Sequence, residues 1–188
     1  KTGLGARIGS WFIALFGRRT IGIGSALSLS ELILAPITPS NTARGGGIIH
    51  PIMRAIAGSY GSDPEQGTQG RMGRYLALTN YHANPITSAM FITATAPNPL
   101  VVKLIADATG AQISLSWGTW ALAMLLPGLV ALALMPYLIY LLHPPEIKST
   151  PNAMQFARDK LKELGPISRG ELTMFGVFAV PLVLWAGI

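Results

Sequence analysis

The sequence predicts an all-α, polytopic membrane protein with a re-entrant helical hairpin and a broken transmembrane helix. Three observations carry this. Half of the 188 residues are hydrophobic and only 12% are charged, where a soluble domain has about a quarter charged. The apolar residues fall into long runs separated by basic stretches, and mean hydropathy is +0.45. Two of the runs are interrupted by polar, helix-breaking segments, Ala35–Gly47 and Thr93–Pro99. Unwound polar backbone does not suit a lipid-facing span, because irregular backbone at membrane depth needs protein or water around it.

The same numbers exclude several function classes. A net charge of +6 in a soluble protein would point to nucleic acid. Here the basic residues lie between apolar segments, so membrane topology accounts for them and no nucleic-acid partner is expected. The absence of cysteine rules out disulfides and thiolate metal sites. Residue 1 opens an amphipathic segment rather than a signal peptide. The apolar run Phe175–Ile188 is short for a span, so both ends are expected to be truncations of a larger protein.

Residues 1–19 are predicted as an interfacial amphipathic helix. Leu4, Ile8, Trp11, Phe12, Leu15 and Phe16 recur at helical spacing, followed by Arg18-Arg19. The tail of a preceding span is the alternative. Residues 20–57 are predicted as the hairpin. Its first arm runs from Thr20 to Ala35 and carries Glu31. An ionisable residue there is expensive and should face protein. It is either a proton or cation site, or a partner for Arg44 or nearby backbone. Pro36 and Pro39 stop the first arm, and Ser40, Asn41 and Thr42 are good caps for a second helix. The second arm, 43–57, rises only about 22 Å, short of the roughly 30 Å hydrocarbon core. Gly45-Gly46-Gly47 weakens the start of this arm and allows close backbone approach, to a ligand or to a packed neighbour.

Residues 58–73 read as a polar aqueous loop. Residues 74–109 read as a broken span, helical through Ala96, interrupted at Pro97-Asn98-Pro99 and resumed from Leu100. Its first half is rich in polar residues, among them Asn80, Asn84, Thr87 and Ser88. Such breaks build midplane sites in transporters, and a plain proline kink is the alternative. Residues 119–142 are the cleanest span, with aromatics near both ends and Pro127 and Pro136 inside. Residues 143–171 form a linker with a charged amphipathic helix over 150–164, and 172–188 begin another span. The three basic stretches fall on one side, and the Lys/Arg-free loop 108–118 on the other, if the hairpin enters and leaves by one face.

The chemistry of the two breaks suits an anion. Helix N-termini present free N–H groups and a positive dipole end, and Asn and Thr add hydrogen bonds. Preceding carbonyls could hold a cation. Catalysis is not expected: H-E-x-x-H and G-x-S-x-G are absent, and His50, His82 and His143 are widely spaced. No cofactor is expected.

The motif Ala35-Pro36-x-Thr38-Pro39-Ser40-Asn41-Thr42-Ala43-Arg44-x-Gly46-Gly47 resembles the first Ser-Asn-Thr hairpin of the divalent anion/sodium symporter family. Thr93–Asn98 resembles its companion break. The opening Thr2-Gly3-Leu4-Gly5-x-Arg7-Ile8, Tyr60-Gly61-Ser62 and His143-Pro144-Pro145-Glu146-Ile147-Lys148 extend the likeness over essentially the whole chain. They point to the branch of citrate/succinate and tartrate/succinate antiporters and plastid 2-oxoglutarate/malate translocators. The resemblance implies half of an inverted-repeat transporter, a homodimer that moves di- or tricarboxylates by an elevator-like shift. By the same carry-over, Asn41 and Thr42 contact a substrate carboxylate beside Ser40, and Thr95, Pro97 and Asn98 line the same pocket. In sodium-coupled relatives an ion is clasped there, which would involve Ser40, Asn41 and the backbone at Ala94. Pro36 and Ala94 depart from the family's small polar or glycine positions. The expectation is therefore that Arg44 supplies the positive charge that sodium supplies elsewhere, giving an exchanger without sodium; pairing of Arg44 with Glu31, or its exposure, is the alternative.

The expected function is carboxylate exchange in a multi-pass protein of a bacterial inner membrane rather than a plastid envelope. A sodium-coupled symporter is the first alternative. An arsenite or sodium/proton antiporter of related architecture would make Glu31 essential. A structural or assembly subunit, whose breaks only pack helices, is the alternative from another class.

Overall fold

The computed structural model describes residues 3–186, so residues 1, 2, 187 and 188 of the predicted segments lie outside the described part. The described residues form nine α-helices: α1 (Leu4–Phe16), α2 (Thr20–Leu34), α3 (Asn41–Arg44), α4 (His50–Ser59), α5 (Gly73–Met90), α6 (Pro97–Ala108), α7 (Trp117–Leu142), α8 (Pro151–Leu164) and α9 (Arg169–Ala186). A π-helical turn, Gly45–Ile49, joins α3 to α4, and a 3-10 turn, Ile92–Ala94, lies between α5 and α6.

The interrupted helices follow from their prolines and glycines. Pro51 cannot donate to the preceding turn, and its ring crowds the carbonyl four residues back. Three consecutive glycines before it offer little resistance to a wider turn, and the π turn takes up the misfit. The second break departs from expectation. The sequence places it at Pro97-Asn98-Pro99, but α5 already ends at Met90, Phe91 and Thr95 are extended, and Pro97 begins α6. In the first turn of a helix, proline's missing N–H would have no partner anyway. The prolines therefore start a helix, and the unwound backbone lies upstream.

Among the described helices, α7 is long and apolar enough to cross a bilayer by length and composition, while α1 and α2 are apolar but shorter. Leu122, Leu126 and Leu142 on α7 are each about three-quarters exposed (74%, 73% and 74%). Side chains this apolar and this exposed on more than one side of α7 are suited to lipid or further protein rather than water. Inside, α2 is the central element. Ile23, Ala26 and Leu27 are fully buried together with Ile49, Ile56 and Leu76 from α4, α5 and the π turn. In lipid the hydrophobic drive between helices is weak, so close packing and interhelical hydrogen bonds must hold such a cluster.

One end of the molecule is closed by a strap of extended chain after α7. Glu146 N and Ile147 N donate to Gly70 O and Arg71 O at 3.2 and 2.9 Å. Lys148 O accepts from Thr20 N at 3.1 Å, and Thr150 N donates to Arg18 O at 2.9 Å. The Thr20 hydroxyl donates to Ile147 O, and the Thr150 hydroxyl to Gly17 O. Both threonines are fully buried. The His143–Lys148 motif is thus the staple that holds the corner between α1 and α2. Beyond it, α8 lies along α1, with Ala153 and Ala157 buried. Arg7 then joins α1 to α9 through Glu171 Oε1 at 2.7 Å.

The α1–α2 corner is too tight for a side chain at Gly22. A Cβ there would lie 2.0 Å from the backbone oxygen of Phe16, which cannot rotate away. Gly22→Ala is expected to destabilise the full-length protein by about 1–3 kcal/mol through overpacking. Gly58→Ala, where a Cβ would meet nothing within 4 Å, should be neutral or slightly stabilising. Thermal unfolding midpoints in detergent compare the two; equal midpoints would contradict the geometry.

Candidate functional site

The tip between α2 and α3 is built by side chains that cap and turn it. Thr38 N bonds back to Leu34 O at 2.9 Å, closing the turn after α2. Ser40 has extended backbone and its hydroxyl accepts from Ala43 N at 3.2 Å, the N-cap predicted from its type. Asn41 Oδ1 accepts from Thr42 N at 2.9 Å. Asn41 Nδ2 donates to nothing among the described residues, and Thr42 is exposed. The upstream half of the second break is held by Asn98, whose Nδ2 donates to Ser88 O and Phe91 O at 2.7 and 2.9 Å. The two breaks also meet directly, through Thr93 Oγ1 and Pro36 O at 2.9 Å.

Arg44 joins the two segments from inside. Its side chain is fully buried, as is that of Glu31. Its Nε donates to Glu31 Oε2. Nη1 donates to Thr38 O at the tip (3.1 Å) and to Ala94 O in the second break (3.3 Å). Nη2 donates to Thr87 Oγ1 (3.3 Å) and Ser88 Oγ (2.8 Å) on α5. A guanidinium has five N–H donors, and five acceptors surround this one. The hydroxyls of Thr87 and Ser88 donate to Asn84 O at 3.1 and 2.6 Å, which leaves their lone pairs for Arg44. Asn84 Nδ2 closes the network by donating to Glu31 Oε1 at 3.0 Å and Asn41 O at 2.9 Å. Gly45 makes this approach possible: a Cβ there would sit 2.7 Å from Asn84 Nδ2 and 3.1 Å from Glu31 Oε1.

The sequence suggests Arg44 as a free positive charge, with Glu31 pairing as the alternative. The structure shows the pair. The reason is position: on opposite sides of the tip, the end of α2 and the start of the second arm bring the two charges together where neither reaches solvent. The pair is neutral as a whole, so Arg44 brings no net charge to the tip.

Two cavities flank this network. One, of about 560 Å³, is lined by Pro39 of the tip, Thr93, Thr95 and Ala96 of the second break, and Trp117. The other, of about 370 Å³, is lined by Asn41, Thr42, His50, Asn80, Tyr81 and Asn84, with the backbone of Gly45 and Gly46. Thr95 lines the first of these cavities and Asn41 and Thr42 the second, with Arg44 bridging the two segments. Ser40 and Pro97 line neither cavity, and the amide donors of Asn98 are committed to backbone. Of the oxygens expected to clasp a sodium ion, Ala94 O accepts from the Arg44 guanidinium, and Ser40 Oγ and Asn41 Oδ1 each accept from a backbone amide.

Asn84, Thr87 and Ser88 are polar residues that sequence reasoning noted without assigning. Their signal is spacing: Asn84 follows Asn80 by four residues, and Thr87 and Ser88 follow Asn84 by three and four, so they share one face of α5. All four point into the network or its neighbouring cavity. Among the described residues no group of three or more His, Asp or Glu side chains forms a metal site.

The chain matches the family model described as "Sodium:sulfate symporter transmembrane region" over residues 1–187. It is 51% identical to the "Putative malate transporter YflS" of Bacillus subtilis (strain 168) over 185 residues, 98% of this chain and 38% of that protein. It is 43% identical to the "L-tartrate/succinate antiporter" of Escherichia coli (strain K12), again over 98% of this chain and 38% of the relative. It is 41% identical to "Dicarboxylate transporter 1, chloroplastic" of Arabidopsis thaliana, over 98% of this chain and 33% of the relative. The chain thus spans little more than a third of the curated relatives it matches.

A buried pair that loses one partner leaves the other charge uncompensated, at a cost of about 3–5 kcal/mol. Arg44→Leu is expected to destabilise the full-length protein by that order, and Glu31→Leu in the same chain should recover most of the loss. Arg44→Lys should fall between, because three donors replace five. Thermal unfolding of the purified variants tests this, and an additive double mutant would show that the two side chains do not depend on each other.

Proposed function

Because the chain belongs to the sodium:sulfate symporter transmembrane family, an integral membrane family, we propose that the protein containing it transports di- or tricarboxylate anions by exchange. The relatives' names supply the substrate class. What favours exchange is that the Arg44 side chain already bridges the two breaks, from Thr38 O to Ala94 O, so no ion need be taken up or released to join them.

In this reading α2, the tip and the second arm form a re-entrant hairpin, and α5 and α6 the broken span beside it. The 15 residues of α2 rise about 22 Å, less than the hydrocarbon core. The Asn41 amide and the Thr42 hydroxyl offer donors to a substrate carboxylate, with Thr95 reached from the other side of the tip. An inverted second repeat, in the part of the protein outside this chain, completes the pocket. The hydrogen bonds of Arg44 make the hairpin and the broken span one body, as an elevator-type shift within a homodimer requires. The 51% identity to a bacterial relative favours a bacterial inner membrane.

The test uses the full-length protein in liposomes loaded with unlabelled succinate. Uptake of labelled dicarboxylate should require the internal anion, be indifferent to sodium, and fall by at least about tenfold in Asn41→Ala, the cost of one hydrogen bond to a charged group. Uptake that depends strictly on a sodium gradient would overturn exchange. Absence of any uptake from folded protein would favour a structural subunit.

A further inference from the structure

A third cavity, of about 390 Å³, lies beside the polar loop 58–73. Glu65 of that loop lines it, with His50 and Arg54 of α4 and Arg74 and Ala77 of α5. It meets the cavity at the tip through His50, which lines both. Helix register makes the two cavities continuous. On α4, Arg54 follows His50 by four residues. On α5, Ala77, Tyr81 and Asn84 follow Arg74 by three, seven and ten, so each set shares one helix face. Ala77 lines the loop-side cavity, and Tyr81 and Asn84 line the one at the tip. One groove between α4 and α5 therefore runs from the loop to Asn41 and Thr42, along about 15 Å of α5.

The charges at the loop end of this groove are unspent. Four arginines lie between residues 44 and 74. Arg44 is tied into the buried network, and Arg71 donates to Tyr60 O and Gly61 O at 3.2 and 3.3 Å. Arg54 and Arg74, the two in the groove, are exposed and form no ion pair among the described residues. Glu65 pairs with neither, and Glu146 comes near Gly70, as Arg74 does, without pairing with it. Arg74 also stands in the first turn of α5, which holds no acid. A cation there adds to the positive end of the helix dipole instead of offsetting it. That placement weakens the helix and strengthens the attraction for an anion. The tip itself has no net charge to offer, because Arg44 is paired with Glu31.

We propose that the loop end of this groove is a staging site for the substrate anion. Arg54 and Arg74 hold a carboxylate there before it passes His50 to Asn41 and Thr42. The inference rests on the carboxylate-transport reading above and adds a second anion site to it. A cleft lined by one sign of charge raises the local concentration of its counter-ion and the rate of encounter by about ten- to a thousandfold. Water screens an exposed ion pair, so the two arginines collect the anion without trapping it.

The experiment measures KM for succinate uptake by the full-length protein in phosphatidylcholine liposomes, and again in liposomes that also contain anionic phosphatidylglycerol. KM does not depend on the fraction of active protein, so partial misfolding cancels. The double variant Arg54→Gln, Arg74→Gln is expected to raise KM about tenfold in both lipids, the low end of the range for such steering. The double variant Arg54→Lys, Arg74→Lys keeps both charges and should stay within about threefold of wild type. Raising salt from about 0.01 to about 0.15 M shortens the Debye length from about 30 to about 8 Å. Wild-type KM should rise over that range, and that of the Gln variant much less. An unchanged KM in the Gln variant, an equal rise in the Lys variant, or the same salt dependence in all three would overturn the inference while leaving carboxylate transport standing. A rise in KM confined to the anionic liposomes would assign the two arginines to a lipid headgroup and overturn it likewise. Failure of wild type to take up any carboxylate would overturn the transport reading, and this inference with it.

Discussion

The ion pair between Arg44 and Glu31 is the constraint on which the rest of this structure depends. Two full charges are held out of solvent, and the cost of that desolvation is met only when every remaining donor and acceptor is satisfied. Satisfying the guanidinium takes acceptors from the tip, from α5 and from the second break. Satisfying the carboxylate takes Asn84 from α5. These demands set the depth of the tip against α5 and the place where α5 must stop. They also require glycine at position 45, since any side chain there would meet Asn84 and Glu31.

The pair also accounts for polar residues that would be out of place in an ordinary apolar helix. Thr87 and Ser88 hydroxyls bond back to the carbonyl of Asn84, a pattern that bends helices and weakens them slightly. Here the geometry is useful, because it turns both oxygens' lone pairs toward Arg44. Pro85 adds a missing donor to the same turn. Helices in membranes tolerate this when neighbouring groups take up the freed bonds, and α5 is surrounded by such groups.

Much of this was legible from the chain itself. Apolar runs and their breakers located nearly every helix, and Ser40 caps the second arm as its type suggests. The motif after Ala35 identified the family before any comparison. Two things were not legible. One was the position of the second break, because Pro97 and Pro99 signal a helix start as readily as a stop, and only the commitment of Asn98 to Ser88 and Phe91 decides between them. The other was the state of Arg44. A buried pair thirteen residues apart depends on the path of the turn between them, and spacing alone does not specify that path. That Thr95 lines one cavity and Asn41 and Thr42 another depends on how the two breaks pack around Arg44, which no local pattern records.

The strap that closes one end of the molecule has a consequence for how the chain is made. The carbonyls of Gly17 and Arg18 are capped by Thr150, which follows Gly17 by 133 residues. At about 5–20 residues per second, the ribosome delivers that partner roughly 7–27 s later. Through this interval the corner between α1 and α2 carries polar backbone with no protein partner for it, so it must stay where water can serve. Its completion therefore waits on a segment that arrives only after α7 has been synthesised, and until then α1 and α2 keep that corner in contact with water.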